Sequence, residues 1–530
     1  MISARTSYLT PFLLPQIISF KNGNANQMFN YWLYDINAKV NYKINSKIQI
    51  FVSFYHGNDF WVAQDGLVND RGKFSLNWGN LMGSLRLNYI IHPKLFLKTI
   101  SSLSKYKYQV GNTSYELINK DWRIANYFFN TSSLRDFNAK ASFEWFPFSF
   151  QQVRFGFDAT NHQYTPTQIK TNYSIAQNSL VFINNAISAN EYSVFIENEM
   201  DIKRRPKVNL GLRKVFFYTD SKAFEAIEPR ATANFMLPLN FTIKAGYSQM
   251  NQFIHLLNSN NVGLPNDIWV PATRNINPSF SEQVSFGMTK SFLKKHLELT
   301  FEVYQKSFMD LIDYSDGKNF FSSFNTSWEN LVEKKGIGRI RGLEVFLNKP
   351  EGVFTGCISY TLSKNERRFE NINKGNWFPA NFDRRHSVSI TTSYSPKNSK
   401  SSFAATWVFQ SGQPITVPTA VYEQFDEGQT NITGYTIPIY ESRNNNRMPS
   451  YHRLDFSYNI KRTTKKHRDA MLSLGIYNVY NRVNPYYLDL RWQPNPRPMN
   501  GEKFKGVENK LFKVGIIPFL PFFSYSIKIQ

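Results

Sequence analysis

The chain has one cysteine, Cys357, among its 530 residues. A single thiol cannot close a disulfide within the chain, and it leaves no zinc site built on cysteines. The sequence also lacks His-Glu-x-x-His, Gly-x-Ser-x-Gly and P-loop motifs, which supply the metal ligands, the nucleophile or the phosphate cradle of common enzymes. We therefore predict that the chain is not an enzyme, and that it has no catalytic residues, no metal and no cofactor.

Long hydrophobic runs are also missing. No stretch of about 18 apolar residues occurs, so we predict no transmembrane helix. The first residues read Met-Ile-Ser-Ala-Arg-Thr-Ser-Tyr-Leu, without the basic region and apolar region of a signal peptide. A strand is the better interpretation of this start. We expect the chain to be a fragment, a processed product or a gene with a misplaced start.

Aromatic residues are abundant instead, and apolar and polar residues alternate strictly in several segments. Aromatics make up 16% of the chain, with 47 Phe and 29 Tyr. In residues 297–303, four apolar side chains alternate with Glu298, Thr300 and Glu302. Successive side chains of a strand point to opposite faces, so this segment predicts a strand with one apolar and one charged face. The same alternation occurs in residues 138–145, 355–363, 453–460 and 523–530.

The connections between such segments alternate between short and long. Short turns fall near 43–46, 91–94, 146–151, 203–206, 237–240, 291–295, 348–352, 396–400 and 461–467. Longer loops fall near 10–29, 58–72, 112–132, 163–190, 219–223, 250–281, 312–337, 364–385, 412–449 and 481–519. Short periplasmic turns and long extracellular loops are typical of bacterial outer-membrane barrels.

The sequence therefore predicts an all-β chain that forms a transmembrane antiparallel up-and-down β-barrel. The number of strands is about twenty, and both ends of the chain lie on the short-turn side. We find no linker and no helical region, so residues 1–530 are predicted to be one barrel domain.

Basic residues exceed acidic residues, 62 to 39, and the formal charge is +23. Such a charge is compatible with binding to nucleic acid or to anionic lipid headgroups. The basic residues are spread along the chain, whereas a nucleic-acid-binding module concentrates them. We interpret them as solvated turns and loops and predict no nucleic-acid partner. The basic short turns include Lys203-Arg204-Arg205, Lys294-Lys295 and Lys465-Lys466-His467-Arg468.

Several segments are more specific than the alternation. They read NQFIHLLNSNNVGLPNDIWVPATRNINPSFSEQVSFG in residues 251–287, IRGLE in 340–344, SYTLSK in 359–364, NWFPANFDRRHSVSI in 376–390, RMPSYHRLDFSYNI in 447–460 and LGIYNVYNRVNPYY in 474–487. In this order they resemble the barrel of TonB-dependent receptors of the Bacteroidetes type. The resemblance extends over nearly the whole chain.

The resemblance implies a barrel of about 22 strands in the cell outer membrane, filled by an N-terminal plug domain. It also implies uptake of an external ligand with energy delivered through TonB. This sequence departs from the pattern because it shows no plug, no TonB-contacting segment and no export signal. The predicted strand count is two short, and we expect that a first hairpin is missing together with the plug. The chain ends in Ile-Lys-Ile-Gln, whereas such barrels often end in an aromatic residue.

Four loop residues are candidates for substrate binding. His255 and Trp269 lie in one long loop, and Arg384 and Arg385 lie in an Asp-Arg-Arg-His segment at the end of another. The arginines either contact an anionic ligand or form an ion-pair network that orders the base of their loop. His255 has too few neighbouring ligands for a metal site. The two ring residues either stack on a ligand or pack within their own loop.

The function that follows is that of a TonB-dependent receptor for a scarce or bulky nutrient. The ligand class stays open between siderophore, glycan and peptide. The expected partners are outer-membrane lipid, an extracellular ligand and, when a plug is supplied, the TonB complex. A surface lipoprotein is an open alternative. The alternative function is a plugless remnant that acts as a passive pore or has no transport activity, and an adhesive role is a third hypothesis.

Overall fold

The protein is known from a computed structural model. It describes residues 1–6, 18–19, 27–66, 70–119, 121–173, 179–183, 186–202, 206–219, 222–258, 267–318, 327–425, 434–464, 468–494, 507–515 and 519–527. No helix in this part of the chain is long and apolar enough to cross a membrane. The described residues contain four single turns of 3-10 helix, at Pro238–Asn240, Leu293–Lys295, Trp328–Asn330 and Asn373–Gly375.

Strands make up most of the described residues. Their bounds are β1 Ile2–Thr6, β2 Gln27–Lys43, β3 Ile48–Gly66, β4 Asp70–His92, β5 Leu95–Ile118, β6 Asp121–Phe148, β7 Gln151–Tyr173, β8 Ser179–Ile183, β9 Ile187–Asp201, β10 Pro206–Thr219, β11 Ala223–Leu237, β12 Phe241–Gln252, β13 Ile254–Leu257, β14 Ile268–Pro271, β15 Ser279–Phe292, β16 Leu297–Tyr314, β17 Val332–Lys349, β18 Phe354–Arg368, β19 Phe378–Pro379, β20 His386–Tyr394, β21 Ser401–Gln410, β22 Pro414–Ile415, β23 Ala420–Phe425, β24 Gly434–Ile439, β25 Asn446–Arg447, β26 Tyr451–Thr463, β27 Asp469–Tyr477, β28 Tyr487–Pro494, β29 Val507–Val514 and β30 Leu520–Ile527.

In the part of the chain that the structure describes, one antiparallel sheet of 22 strands forms the wall. Two of its members continue a neighbour rather than add a row, since β8 extends the line of β9 along β7, and β19 extends the line of β20 along β18. The wall is therefore twenty strands across, in chain order from β1 to β30, which confirms the predicted fold class and strand count. Within the described residues β1 pairs only with β2, and β30 pairs only with β27.

The two faces of the wall differ as predicted. On β16, Leu299, Phe301 and Val303 are each 37% exposed on one face. Glu298 and Glu302 belong to the opposite face, because side chains alternate along a strand. An apolar outer band and a polar interior are what a sheet in a lipid bilayer requires, since the lipid-facing residues have no water to meet.

All nine predicted short turns are present. In each, one strand ends and the next begins after at most six residues. Both ends of the chain lie on this side: the amino group of Met1 donates to the carbonyl of Lys39 (2.9 Å), and Ile527 pairs with Ala470 beside the turn that precedes β27. The basic residues 203–205 and 465–467 lie outside the described residues.

At the opposite end of the wall, two segments that were predicted to be loops are strands instead. Residues 58–72 and 112–132 were expected to be loops, but β3 and β4 pair up to Gly66, and β5 and β6 pair up to Ile118. About 9–11 residues cross a bilayer, whereas β6 has 28. Beyond the lipid both faces meet water, so the polar–apolar alternation fades although the hydrogen-bonded ladder continues.

A two-stranded ribbon folds inward from the long-loop side. This inner ribbon consists of β13 and β14, which pair with each other from Ile254–Pro271 to Leu257–Ile268. At its base, the Phe253 ring stacks on Phe217 of β10, with centroids 4.8 Å apart. The cluster around these two rings also contains Tyr164, Ala189, Val215 and Ala272. Because Leu212 and Tyr218 point outward on the other face of β10, the ribbon packs on the inner face of the wall.

Replacing Phe253 by Ala should release the inner ribbon without opening the wall. Truncation of a buried Phe costs about 3–5 kcal/mol, and Phe253 is not part of the wall ladder. We expect the amides of β13 and β14 to exchange at least tenfold faster in hydrogen-exchange mass spectrometry. The control Phe286→Ala removes a half-exposed outward ring and should leave this exchange unchanged. Equal acceleration in both variants would contradict the inward packing.

Candidate functional site

The buried face of the inner ribbon also packs against a neighbouring connection. Leu257, Ile268 and Val270 from the ribbon are all buried there. Their partners are Ile276, Ile312, Tyr314, Trp328, Leu331 and Val332, which come from the chain after the ribbon and from the connection between β16 and β17. β14 also lies against β6 and β7. The ribbon thus contacts both the inner wall and the neighbouring connection.

A pocket of about 210 Å³ opens beside the ribbon. Its lining joins five separate segments of the chain. The lining residues are Gln252, His255, Leu256, Asn258, Ser279, Leu311, Ile312, Asp313, Arg367, Asn381 and Phe382. Most of the polar members are amides or groups that pair with one another, and the pocket therefore carries little net charge.

His255 is the most buried titratable group of the ribbon, with 5% of its surface exposed. Its Nδ1 lies 3.2 Å from Ser279 Oγ, and this hydroxyl lies 3.3 Å from the carbonyl oxygen of Asp310. A carbonyl only accepts, so the Ser279 proton goes to Asp310 and the serine oxygen accepts from the imidazole N–H. His255 Nε2 is then a bare acceptor, buried and without a partner in the described part of the chain.

The protonation state of His255 follows from its surroundings. Burial lowers the pKa of His255 to about 4 from an ordinary 6.5, although a backbone hydrogen bond at Asn277 and the charge of Asp310 oppose the shift. The imidazole is therefore neutral near pH 7. A neutral ring with a free Nε2 can accept a hydrogen bond from a hydroxyl or an N–H group of a ligand.

A buried ion pair fixes the pocket wall opposite His255. Arg443 Nη1 lies 3.2 Å from Asp313 Oδ1, and both side chains are 7% exposed. Arg443 Nη2 also pairs with Asp316 (2.8 Å), and Arg367 approaches the second oxygen of Asp313 at 3.6 Å. Asn373 and the backbone of Arg443 exchange two hydrogen bonds. These contacts tie the connection before β25 to the end of β16.

A row of side-chain amides links the same connections. Asn444 donates to Asn381 Oδ1 (2.8 Å), Asn381 donates to Asn258 Oδ1 (3.1 Å), and Asn258 donates to Asp267 Oδ1 (2.9 Å). Asn444 also donates to the carbonyl of Pro379. Each amide both donates and accepts, so the row orients its two members that line the pocket, Asn258 and Asn381.

The predicted arginines lie at the base of this assembly. Asp383 has a fully buried side chain. Its carboxylate accepts a hydrogen bond from the backbone N–H of Asn365 (2.7 Å) and pairs with Arg447. Arg385 is 3.9 Å from the same carboxylate. Arg384 donates to Gln413 Oε1 (3.2 Å). These are the contacts of an ion-pair network at a loop base, and neither arginine lines the pocket.

The sequence candidates are therefore separated. His255 lines the pocket, whereas Trp269 pairs with Leu256 in the ribbon and lies on the opposite ribbon face from His255. Asp313, Arg367 and Asn381 complete the pocket and were not predicted. No local signal could have found them, because their partners lie in distant connections.

The inner wall below the ribbon carries alternating charges. Arg154 contacts Glu199 (3.4 Å) and Glu197 (3.8 Å), and Arg230 pairs with Glu197 at 3.1 Å. Arg213 pairs with Glu191 at 3.2 Å. These side chains share the inward phase of β7, β9, β10 and β11, so the lumen has a charged lining rather than an apolar one.

Known proteins share this architecture. The chain is similar to the copper transporter OprC, with a TM-score of 0.60, 13% identity, and coverage of 94% of this chain and 71% of that chain. It is similar to the ferric-catecholate import receptor Fiu from E. coli K12, with a TM-score of 0.54, 10% identity and coverage of 95% and 81%. It is also similar to BauA, the ferric preacinetobactin receptor from Acinetobacter baumannii, with a TM-score of 0.54, 10% identity and coverage of 99% and 79%.

No functionally curated protein matches the chain. The family described as TonB dependent receptor-like, beta-barrel matches residues 15–479. This match covers most of the chain and agrees with the twenty-stranded wall, its short turns at one end and its charged interior. The chain therefore belongs to the TonB dependent receptor-like, beta-barrel family.

Proposed function

We propose that this chain forms the wall and the external ligand site of an outer-membrane transporter that takes up a scarce or bulky nutrient. The pocket beside the inner ribbon is the observation that carries the proposal. It lies on the long-loop side, where the ligand arrives, and it contains a buried acceptor, His255 Nε2, that no described group satisfies. A ligand with hydroxyl or N–H donors fits such a site.

The chemistry of the pocket restricts the ligand only to molecules that carry hydroxyl or N–H donors. The names of the similar structures describe a copper transporter, a ferric-catecholate import receptor and a ferric preacinetobactin receptor, and at 10–13% identity these structures support the fold alone. Siderophores, glycans and peptides all carry donor groups from which His255 and the pocket amides can accept hydrogen bonds. The order of the segments from 251–287 to 474–487 supports a receptor of the Bacteroidetes type.

The mechanism needs a movable plug. We propose that residues 1–530 supply the barrel and that a plug domain outside these residues seats against the charged inner wall. TonB pulls on the plug and opens a path along the wall, while the backbone hydrogen bonds of the wall stay closed. A surface lipoprotein that covers the long-loop end belongs to the same proposal. Arg384 and Arg385 act by ordering the loop base, and Trp269 shapes the ribbon.

Conductance distinguishes this transporter from a passive pore. The full chain is inserted into planar bilayers beside a variant in which residues 254–271 are replaced by a Gly-Ser linker. Because the ribbon lies inside the wall, we expect its removal to raise the conductance severalfold. The matched control replaces residues 421–438, which contain most of the β23–β24 hairpin, and should leave the current unchanged. A large constant current that is equal in all three proteins would support the passive pore.

The buried ion pair should hold the pocket together. Arg443→Met leaves the Asp313 carboxylate buried without its main partner, and breaking a buried pair in this way costs about 3–5 kcal/mol. We expect faster amide exchange in residues 440–449 and 311–316. The double variant Asp313→Asn/Arg443→Met removes both charges and should recover part of the loss. A double variant that exchanges as fast as Arg443→Met would argue against the pairing.

Acid should loosen the inner ribbon through His255. The folded pKa of about 4 lies below the ordinary 6.5, so the neutral imidazole stabilises the fold above pH 6.5. This contribution is lost as the pH falls from 6.5 towards 4, because protonation then favours the open form. We expect the protection of β13 and β14 amides to fall over this window. His255→Gln, which keeps an acceptor without titrating, should flatten the profile, and an unchanged profile would exclude His255 as the cause.

A further inference from the structure

The turns that precede β12 and β16 carry an unusual surface. Leu239 and Leu293 stand at their tips and are 77% and 68% exposed. Solvated turns favour polar residues and glycine, so two apolar tips on neighbouring turns need another explanation. β12 and β15 pair directly, from Phe241–Lys290 to Gln252–Ser279, and this pairing places the two turns side by side.

Three lysines flank these apolar tips. Lys290 points outward, in phase with the exposed side chains of Met288 and Phe292. Its ammonium lies 4.1 Å from the centre of the Phe241 ring and donates to the carbonyl oxygen of Leu239. Lys294 and Lys295 follow in the next turn and are exposed. We call Leu239, Leu293, Lys290, Lys294 and Lys295 the basic rim patch.

The charge of the basic rim patch is not neutralised by the protein. Among the described residues no carboxylate forms an ion pair with Lys290, Lys294 or Lys295, and the nearby Glu351 pairs with His296 at 2.9 Å. The Lys290 ammonium has three N–H donors, of which the Leu239 carbonyl takes one. The remaining donors are available to an anion at the edge of the apolar outer band.

We propose that the basic rim patch binds the phosphate headgroup of an anionic phospholipid. This proposal rests on the proposed function, in which the wall spans the outer membrane with its short turns at the inner leaflet. The acyl chains lie on the outward face formed by Met288, Phe286 and Val284, all half exposed or nearly so. The two leucines enter the interface, and the lysines extend to the phosphate as amphipathic side chains do at a membrane surface.

The test measures binding of labelled phosphatidylglycerol to the full chain in nonionic detergent by fluorescence anisotropy. Unlabelled phosphatidylglycerol should compete at least tenfold better than phosphatidylcholine. The variant Lys290→Gln/Lys294→Gln/Lys295→Gln should lose at least tenfold in affinity, because each lysine near an anionic surface contributes about a factor of five. The charge-keeping variant with Arg at the same three positions should bind as the original chain does, and binding should weaken as salt rises.

A matched control removes three exposed lysines from the opposite end, by Lys107→Gln/Lys334→Gln/Lys374→Gln. This control lowers the net charge by the same amount and should keep its affinity. An equal loss in both triple variants would overturn the local site in favour of general attraction. Insertion of the chain into bilayers is checked separately, by flotation with phosphatidylcholine vesicles in a density gradient. If the chain floats with these vesicles but shows no preference for phosphatidylglycerol in the anisotropy assay, this proposal alone is overturned. Failure to float with any vesicle would overturn both the membrane wall and the patch.

Discussion

The backbone hydrogen bonds of the wall are the constraint on which the rest depends. In a hydrocarbon layer an unpaired N–H or C=O group finds no water, so each strand must pair along its length with its neighbours. The β4–β5 ladder illustrates the result, with continuous pairing from Asp70 to Ile90 and a single shift before His92. Such pairing also fixes the side-chain faces. A slip of one residue on β16 would turn Glu298 and Glu302 towards lipid.

The same constraint explains which parts of the fold could be predicted. Period-two alternation and short turns are local consequences of the ladder, so residues 297–303 and all nine turns could be predicted from sequence. The far ends of β3 to β6 could not. There both faces meet water, and residues such as 121–132 keep their pairing without keeping an apolar phase. The strand continues because its backbone hydrogen bonds continue, but the residues there no longer alternate between apolar and polar, so the sequence does not indicate a strand.

Less of the pocket could be predicted from the sequence, because its contacts join residues that are far apart in the sequence. Arg443 and Asp313 are 130 positions apart in the sequence, and Asn381 finds Asn258 across 123 positions. Asp313 and Arg443 lie outside the family-like segments, and nothing in the segments that contain Asn258 and Asn381 indicates that these two amides meet. His255 could be proposed because it is a rare residue in a long loop, but its free Nε2 depends on Ser279 and Asp310. The Asp383 segment was recognisable because its charges are adjacent in sequence.

In the proposed function, the position of the His255 acceptor on the inner ribbon couples ligand recognition to the position of the ribbon. A buried acceptor without a partner costs about 1–3 kcal/mol, and a ligand hydroxyl or N–H at His255 Nε2 would recover that free energy only while the ribbon is folded in. A ligand shifts an equilibrium by its differential affinity for the two states. In the proposed function, ligand binding would therefore favour the folded-in ribbon, and release into the lumen would require that the Phe253–Phe217 contact or the pocket amides give way. The ribbon is held to its surroundings by two apolar clusters and side-chain hydrogen bonds, whereas the wall is held by continuous backbone ladders, so the ribbon can move while the wall stays intact.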